Sequence, residues 1–284
     1  MFYWTLQTLN GLSLAAVLCL LASGLSLIFG LMNVLNLAHG SFYVIGGYVG
    51  WAIMEEANNF LLGAVVGIVS AALVGALMQR YLISRIQNAP SAQVLLTFGI
   101  LLIVADIQLW LSRGRIRILD KPALFDGAVD LGIVIYPKYR LFVIGVGIVV
   151  AMSLWLLQDH TKVGAIIRAA VDDEEMSRGI GTNVPVLFSA IFALGAALGG
   201  LSGIMAGPFF GVYQGVDLQV LILAFVVVIV GGPGSLKGVV IGSLAIGMMD
   251  TFGKVWFPEF SYVTIFAPMA IILIVRPQGL FGRV

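Results

Sequence analysis

Residues 30–50 read GLMNVLNLAHGSFYVIGGYVG, and the fold turns on how that stretch is understood. Strongly apolar runs lie on both sides of it, yet it carries Asn33, Asn36, His39, Ser41, Tyr43 and several glycines. In lipid, a polar side chain or an unpaired backbone group costs several kcal/mol unless something satisfies it. Such residues at membrane depth face other helices, a cavity or a transport path. Glycines let a backbone break or let two helices approach closely. The stretch is therefore expected to form a broken turn between the first two membrane helices. Its polar groups have two readings: they line a route, or they serve as glue by bonding across helices.

Composition supports the membrane setting. Sixty percent of the chain is hydrophobic and 10% is charged, whereas about a quarter of a soluble domain is charged. A net charge of +1 gives no reason to expect nucleic-acid binding. Cys19 is the only cysteine, and His39 and His160 are the only histidines. No disulfide framework, metal site or cofactor is expected from that set. No basic residue precedes Arg80. The apolar N-terminus thus lacks the positive start of a cleaved signal peptide and is expected to be a retained first helix, with its end outside the cytoplasm.

A membrane span needs about 20 mostly apolar residues. Candidates lie near 8–30, 40–54, 60–79, 94–111, 139–157, 187–206, 218–231, 238–252 and 262–275, eight or nine spans in all. The last pair but one counts once if the stretch around 231–238 is a single interrupted helix. With Arg80 and Arg85 inside, Lys162, Arg168, Arg178, Lys237, Arg276 and Arg283 fall inside too. Arg113, Arg115, Arg117, Lys121, Lys138, Arg140 and Lys254 then fall outside. Eight against seven barely decides the orientation. The uncharged N-terminus, basic C-terminus and helix parity agree with it.

Two connecting stretches are long. Residues 112–138 alternate charged and β-branched residues and are broken by Pro122, Gly127 and Pro137, which predicts short strands or a hairpin on the outer surface. It is either a plain connector or a docking surface. Residues 158–186 hold TKVGAIIRAAVDDEEMSRGIG, expected as one surface helix with an acidic cluster at Asp172, Asp173, Glu174 and Glu175. Gly179 and Gly181 stop it, and Pro185 starts the next span. Its isoleucines and alanines beside charges suit a helix that docks on protein; the alternative is a plain solvated face.

Gly195, Gly199 and Gly203 recur every fourth residue, a smooth ridge for close helix contact; Gly63 with Gly67 and Gly238 with Gly242 are shorter versions. Gly232, Pro233, Gly234 and Ser235 interrupt an apolar run, either as a discontinuous helix bordering a route or as a cytoplasmic turn. Asp106, with Thr97 earlier on its helix, and Asp250 are the acidic residues expected within spans. Each is a functional candidate, and neither has an obvious Lys or Arg partner there.

No nucleotide-binding loop is present, because the lysine in GGPGSLKG follows Leu236. No nucleophile triad or paired carboxylates appear at usable spacing, so the chain is not expected to be an enzyme. A solute moved with ATP would need the ATP supplied by another protein. Against this background, GLSLIFGLMNVLNLAHGSFYVIGGYVG resembles the opening signature of bacterial branched-chain amino acid ABC transporter permeases of the LivH type. That family's N-x-A-H-G core and following glycine-aromatic pair match Asn36, Ala38, His39, Gly40, Gly47 and Tyr48. RAAVDDEEMSRGIGTNV is similar to the family's coupling segment, with Arg168 where the general pattern has glutamate, then Ala169, Ala170 and Gly181. GGPGSLKG and the ending RPQGLFG also look like the family, so the likeness spans nearly the whole chain.

The resemblance implies an all-helical importer bundle with broken helices, a single permease domain over 1–284. It also implies a second related permease chain, two cytoplasmic ATPases and a periplasmic solute-binding protein, in the bacterial inner membrane. Coupling would run through Arg168, Ala169, Ala170, Asp173, Glu174, Gly179 and Gly181. The substrate path would run by Asn33, Asn36, His39, Gly40, Ser41, Tyr43, Thr97, Asp106 and Gly232 to Ser235. Leucine, isoleucine and valine are the implied solutes. The alternatives are urea, short amides or small organic acids, or a stand-alone channel or secondary carrier.

Overall fold

The computed structural model describes residues 2–32, 34–86 and 89–282. Asn33 and Arg283 therefore lie outside the described residues. The chain is almost wholly helical. The helices are α1 (Phe2–Met32), α2 (His39–Ala57), α3 (Phe60–Tyr81), α4 (Pro90–Ser112), α5 (Lys138–His160), α6 (Lys162–Asp172), α7 (Glu174–Gly179), α8 (Val184–Phe210), α9 (Val216–Gly231), α10 (Leu236–Trp256) and α11 (Ser261–Val275). Between α4 and α5, strands β1 (Ala128–Asp130) and β2 (Ile135–Pro137) pair antiparallel, Val129 opposite Tyr136. This is the hairpin that the alternating residues predict. Its position defines one end of the bundle, and α6 and α7 define the other.

The span count differs from the expected eight or nine. Six described helices are long and apolar enough to cross a membrane: α1, α3, α4, α5, α8 and α10. The other three expected spans fall short. Helix α2 includes His39, Ser41, Glu55 and Glu56, α9 has 16 residues, and α11 has 15. A helix buried among neighbours need not be long, because the protein itself satisfies its ends.

Helix α1 lies at the centre, packed by α5, α8, α9 and α10, while α2 fits between α3, α8 and α9. Small residues set how close these helices come. Gly195 meets Gly24 and Ile28, Gly199 meets Phe42, and Gly203 meets the Tyr43 backbone. Gly67 of α3 lies against Gly46, and Gly242 lies against Gly231. All three stripes named in the sequence thus sit at close contacts, where packing holds helices together without a hydrophobic driving force between them.

The segment after α5 also departs from expectation. It is two helices, not one, because Asp173 leaves helical geometry (φ −150°) and its carboxylate accepts from Met176 N at 2.8 Å, capping α7. Thr161 caps α6 in the same way through Gly164 N at 3.1 Å. The run around Gly232 to Ser235 is a turn between two separate helices. Gly232 and Gly234 take positive φ there (98° and 76°), and the Ser235 hydroxyl oxygen accepts from Gly238 N at 3.1 Å to start α10.

Candidate transport site

Helix α2 does not start at the edge of the bundle. His39 Nε2 lies 3.0 Å from the carbonyl of Leu21, a residue three turns before the end of α1. At 1.5 Å per residue, α2 begins roughly 16 Å inside that end. The intervening chain runs back into the bundle, and side chains meet its backbone. Asn36 Oδ1 accepts from Ala38 N at 3.0 Å, the Asn36 carbonyl accepts from His39 N at 3.3 Å, and Thr97 Oγ1 accepts from Leu37 N at 3.1 Å. Irregular backbone at this depth is stable only where such partners exist.

Helix α9 begins at the same depth from the opposite direction. Backbone bonds between Arg117 and Val212 (2.9 and 2.7 Å) tie the end of α8 to the hairpin-end loop. The chain then descends past Gly47 until the Asp217 carbonyl rests against Gly40, where no Cβ would fit. The N-termini of α2 and α9 therefore meet inside the bundle. Around them Asn36, His39, Ser41, Tyr43 and Asp217 are all buried. Asn36 Nδ2, His39 Nδ1, Ser41 Oγ, Tyr43 Oη and Asp217 Oδ2 have no hydrogen-bond partner among the described residues.

Two cavities lie towards opposite ends of the bundle and share no lining residue. The outer one, about 490 Å³, opens towards the hairpin end. Its walls carry Asn10, Arg140, Gln219, Asp250 and Lys254, and its floor reaches Leu21 and Tyr43. The inner one, about 350 Å³, lies between Gly30, Ala170, Glu174, Phe188 and Pro233, next to α6 and α7. Between them the junction is closed by the edge-to-face contacts of His39 with Phe42 (5.8 Å) and Phe42 with Phe192 (6.1 Å).

The residues expected along a path divide accordingly. Asn36, His39, Gly40, Ser41, Tyr43 and Thr97 gather at the junction, and of these only Tyr43 lines the outer cavity. Gly232, Pro233, Gly234 and Ser235 stand at the other end. There Ser26 Oγ accepts from Gly234 N at 3.1 Å, and Pro233 lines the inner cavity. Asp106 is on the exposed face of α4. Asp250 is not without a partner: Lys254, one turn on, pairs with it at 2.6 Å. Lys254 lies beyond the apolar run, so a reading by spans does not see this i,i+4 pair within one helix.

The cavity walls contain residues that reading did not single out: Asn10, Arg140, Tyr213 and Gln219. Arg140 donates to Asn10 Oδ1 and its guanidinium lies 5.1 Å over the Phe209 ring. Tyr213 donates to Gln219 Oε1 at 2.6 Å. A signal exists in α1, where Gln7, Asn10 and Ser13 recur every three residues along a mostly apolar helix.

At the α6–α7 end, Ile167 and Ala170 are buried with Val184, Phe188 and Ile191. Arg168 turns back on α5, donating to the Gln158 carbonyl and lying 4.0 Å from Asp159. Glu174 and Arg178 pair at 2.6 Å on the surface. Val163, Ile166, Met176 and Ile180 are exposed, an apolar row on helices that lie beyond the spans.

Helix N-termini that meet among buried polar groups inside a bundle of apolar helices are the architecture of a polytopic membrane transport protein. The chain belongs to the branched-chain amino acid transport system permease component family, whose model matches residues 7–273. It is 26% identical to the high-affinity branched-chain amino acid transport system permease protein LivH of Escherichia coli K12, over 99% of this chain and 96% of that one. It is 25% identical to the permease protein BraD of Pseudomonas aeruginosa, covering 99% and 97%. The permease protein LivM of Salmonella typhimurium is 25% identical over 94% of this chain and 68% of its own. In fold it is similar to PsaBC from Streptococcus pneumoniae, solved in complex with Fab, with a TM-score of 0.51, 16% identity and coverage of 94% and 89%.

Proposed function

We propose that this chain is a membrane-spanning subunit of an ATP-driven importer of leucine, isoleucine and valine in a bacterial inner membrane. The observation that carries the reading is the closed junction between two cavities, with a helical platform beside the inner one. A solute enters at the hairpin end from a periplasmic binding protein. It passes Tyr43, Ser41, His39 and Asn36 when the junction opens, and leaves past Pro233. The chain has no ATP-binding loop of its own, so two cytoplasmic ATPases supply the energy. They press on α6 and α7, through Ala169, Ile166, Met176 and Ile180, while Arg168 and Ala170 hold that platform to the bundle and Asp173 joins its two helices.

A second permease chain completes the assembly. Similarity to both LivH and LivM relatives supports a related partner, and so does α4, which packs on little besides α2 and leaves Asp106 uncovered. A carboxylate facing lipid is costly, so a partner surface covering it is favoured.

The test is uptake by the co-purified complex in proteoliposomes with its binding protein, offering leucine, urea and acetamide in parallel. Leucine uptake that needs ATP and binding protein, and that is lost in Ile166→Asp/Met176→Asp, supports the reading. Urea uptake alone would replace the solute. Uptake by this chain without any ATPase would overturn the importer assignment.

A further inference from the structure

We infer that the outer cavity is a binding site, formed within this one chain, for a zwitterionic amino acid with an aliphatic side chain. The inference rests on the importer reading and places the solute's first stop in the membrane at residues outside the break before α2. Small-molecule sites are about 300–1,000 Å³, mostly apolar, with a few convergent polar groups. This cavity of about 490 Å³ is of that kind.

Its groups match the three parts of such a solute. Arg140 forms no ion pair among the described residues. It is fixed by Asn10 and by the Phe209 ring, so its remaining donors can take a carboxylate in a forked bond. Asp250, buried to 5% exposure, is paired with Lys254, whose side chain is 60% exposed. Lys254 can swing into water and leave the carboxylate to the solute's ammonium, charge for charge. Leu14, Leu18, Leu21, Val220 and Leu223 provide apolar wall for an aliphatic side chain. At the floor, the Tyr43 hydroxyl is buried and has no partner among the described residues, a polar group that a guest would satisfy. A site made of one exchangeable ion pair and one free guanidinium binds weakly, which suits a stop the solute must leave again.

The experiment uses the whole complex in nanodiscs carrying Val220→Cys, with the modification rate by a small thiol-reactive sulfonate read from the mass of this chain. Leucine at twice its Kd is expected to slow the reaction about threefold by occupancy. Urea is expected to leave the rate unchanged, and adding Arg140→Gln should remove the protection. Val220→Trp, which fills the cavity, should abolish uptake while the complex still hydrolyses ATP. A complex that takes up leucine but whose thiol reacts at one rate with or without leucine would overturn the site and leave the importer reading standing. Protection by urea but not leucine would overturn the amino-acid class, and would fail together with leucine uptake. Protection governed by added phospholipid alone would make the cavity a lipid-tail pocket and overturn the proposal.

Discussion

The chain turns back inside the bundle twice, before α2 and before α9, and the two turns are built in opposite ways. The first is tied and sealed. Asn36 and Thr97 take up its backbone donors, and Gly40 leaves no space against the Asp217 carbonyl. The second, Gly211 to Gly215, is tied to Arg117 at its Val212 end and open at its Gly215 end. Nothing lies within 4 Å of where a side chain would grow at Gly215, and Tyr213, Val216 and Gln219 face the outer cavity. The polar signature therefore marks the closure, and the plainer turn borders the space.

The largest expected effect breaks the sealed turn. In Gly40→Leu the side chain must displace the first turn of α9, and backbone cannot move aside as a flexible side chain can. A loss of about 3 kcal/mol, the upper end for overpacking, is expected, with uptake reduced to background. Thermal unfolding of the complex measures it, and an unchanged midpoint would show that α2 and α9 do not touch here. Next comes Thr97→Val, which leaves Leu37 N–H without its acceptor. The expected cost is about 1–2 kcal/mol, recovered in Thr97→Ser, again by thermal unfolding. If Val and Ser behave alike, the hydroxyl does not hold the break.

The difference between the turns also explains what the sequence could disclose. A break among lipid-facing helices needs polar side chains to satisfy it, so Asn36, His39 and Ser41 stood out from their apolar surroundings. The glycine stripes were legible for a similar reason, since a four-residue repeat has one geometric meaning on a helix. The second turn, GVYQG, lies between runs that read as complete spans, so its Tyr213 and Gln214 read as an ordinary connector. Its role depends on the depth at which α9 starts, a tertiary fact. Arg140 reads only as an outer-side charge at the start of a span, because nothing local says that the first turn of α5 leans over Asn10 and Phe209. The split at Asp173 was hidden as well, since an acidic run suits a helix surface as readily as a cap.

Gly215→Ala sharpens the contrast by separating space from backbone. Gly215 has φ +88°, and a left-handed residue with a side chain costs about 1–2 kcal/mol. With open space around it, only that cost is expected, so the variant should lose about 1 kcal/mol in unfolding and keep its uptake. A loss as large as that of Gly40→Leu would mean that the second turn is packed as tightly as the first.

The smallest effect on stability is the most informative about function. Tyr43 stands where the two turns meet, its ring packed in the core and its hydroxyl, at the cavity floor, without a partner among the described residues. Tyr43→Phe removes that oxygen and keeps the ring. Because no protein bond is lost, unfolding should shift by no more than about 0.5 kcal/mol in either direction. A group that serves only packing would then leave transport alone. A group that meets the solute would raise the half-saturation for leucine about threefold or more, the worth of one hydrogen bond of roughly 1 kcal/mol, with ATP hydrolysis in the absence of solute unchanged. Stability and transport that fall together would place the hydroxyl in the seal, bonded to something inside the bundle. Transport that falls alone would place it in the route, and the floor of the open side would then be where solute first reaches the closed one.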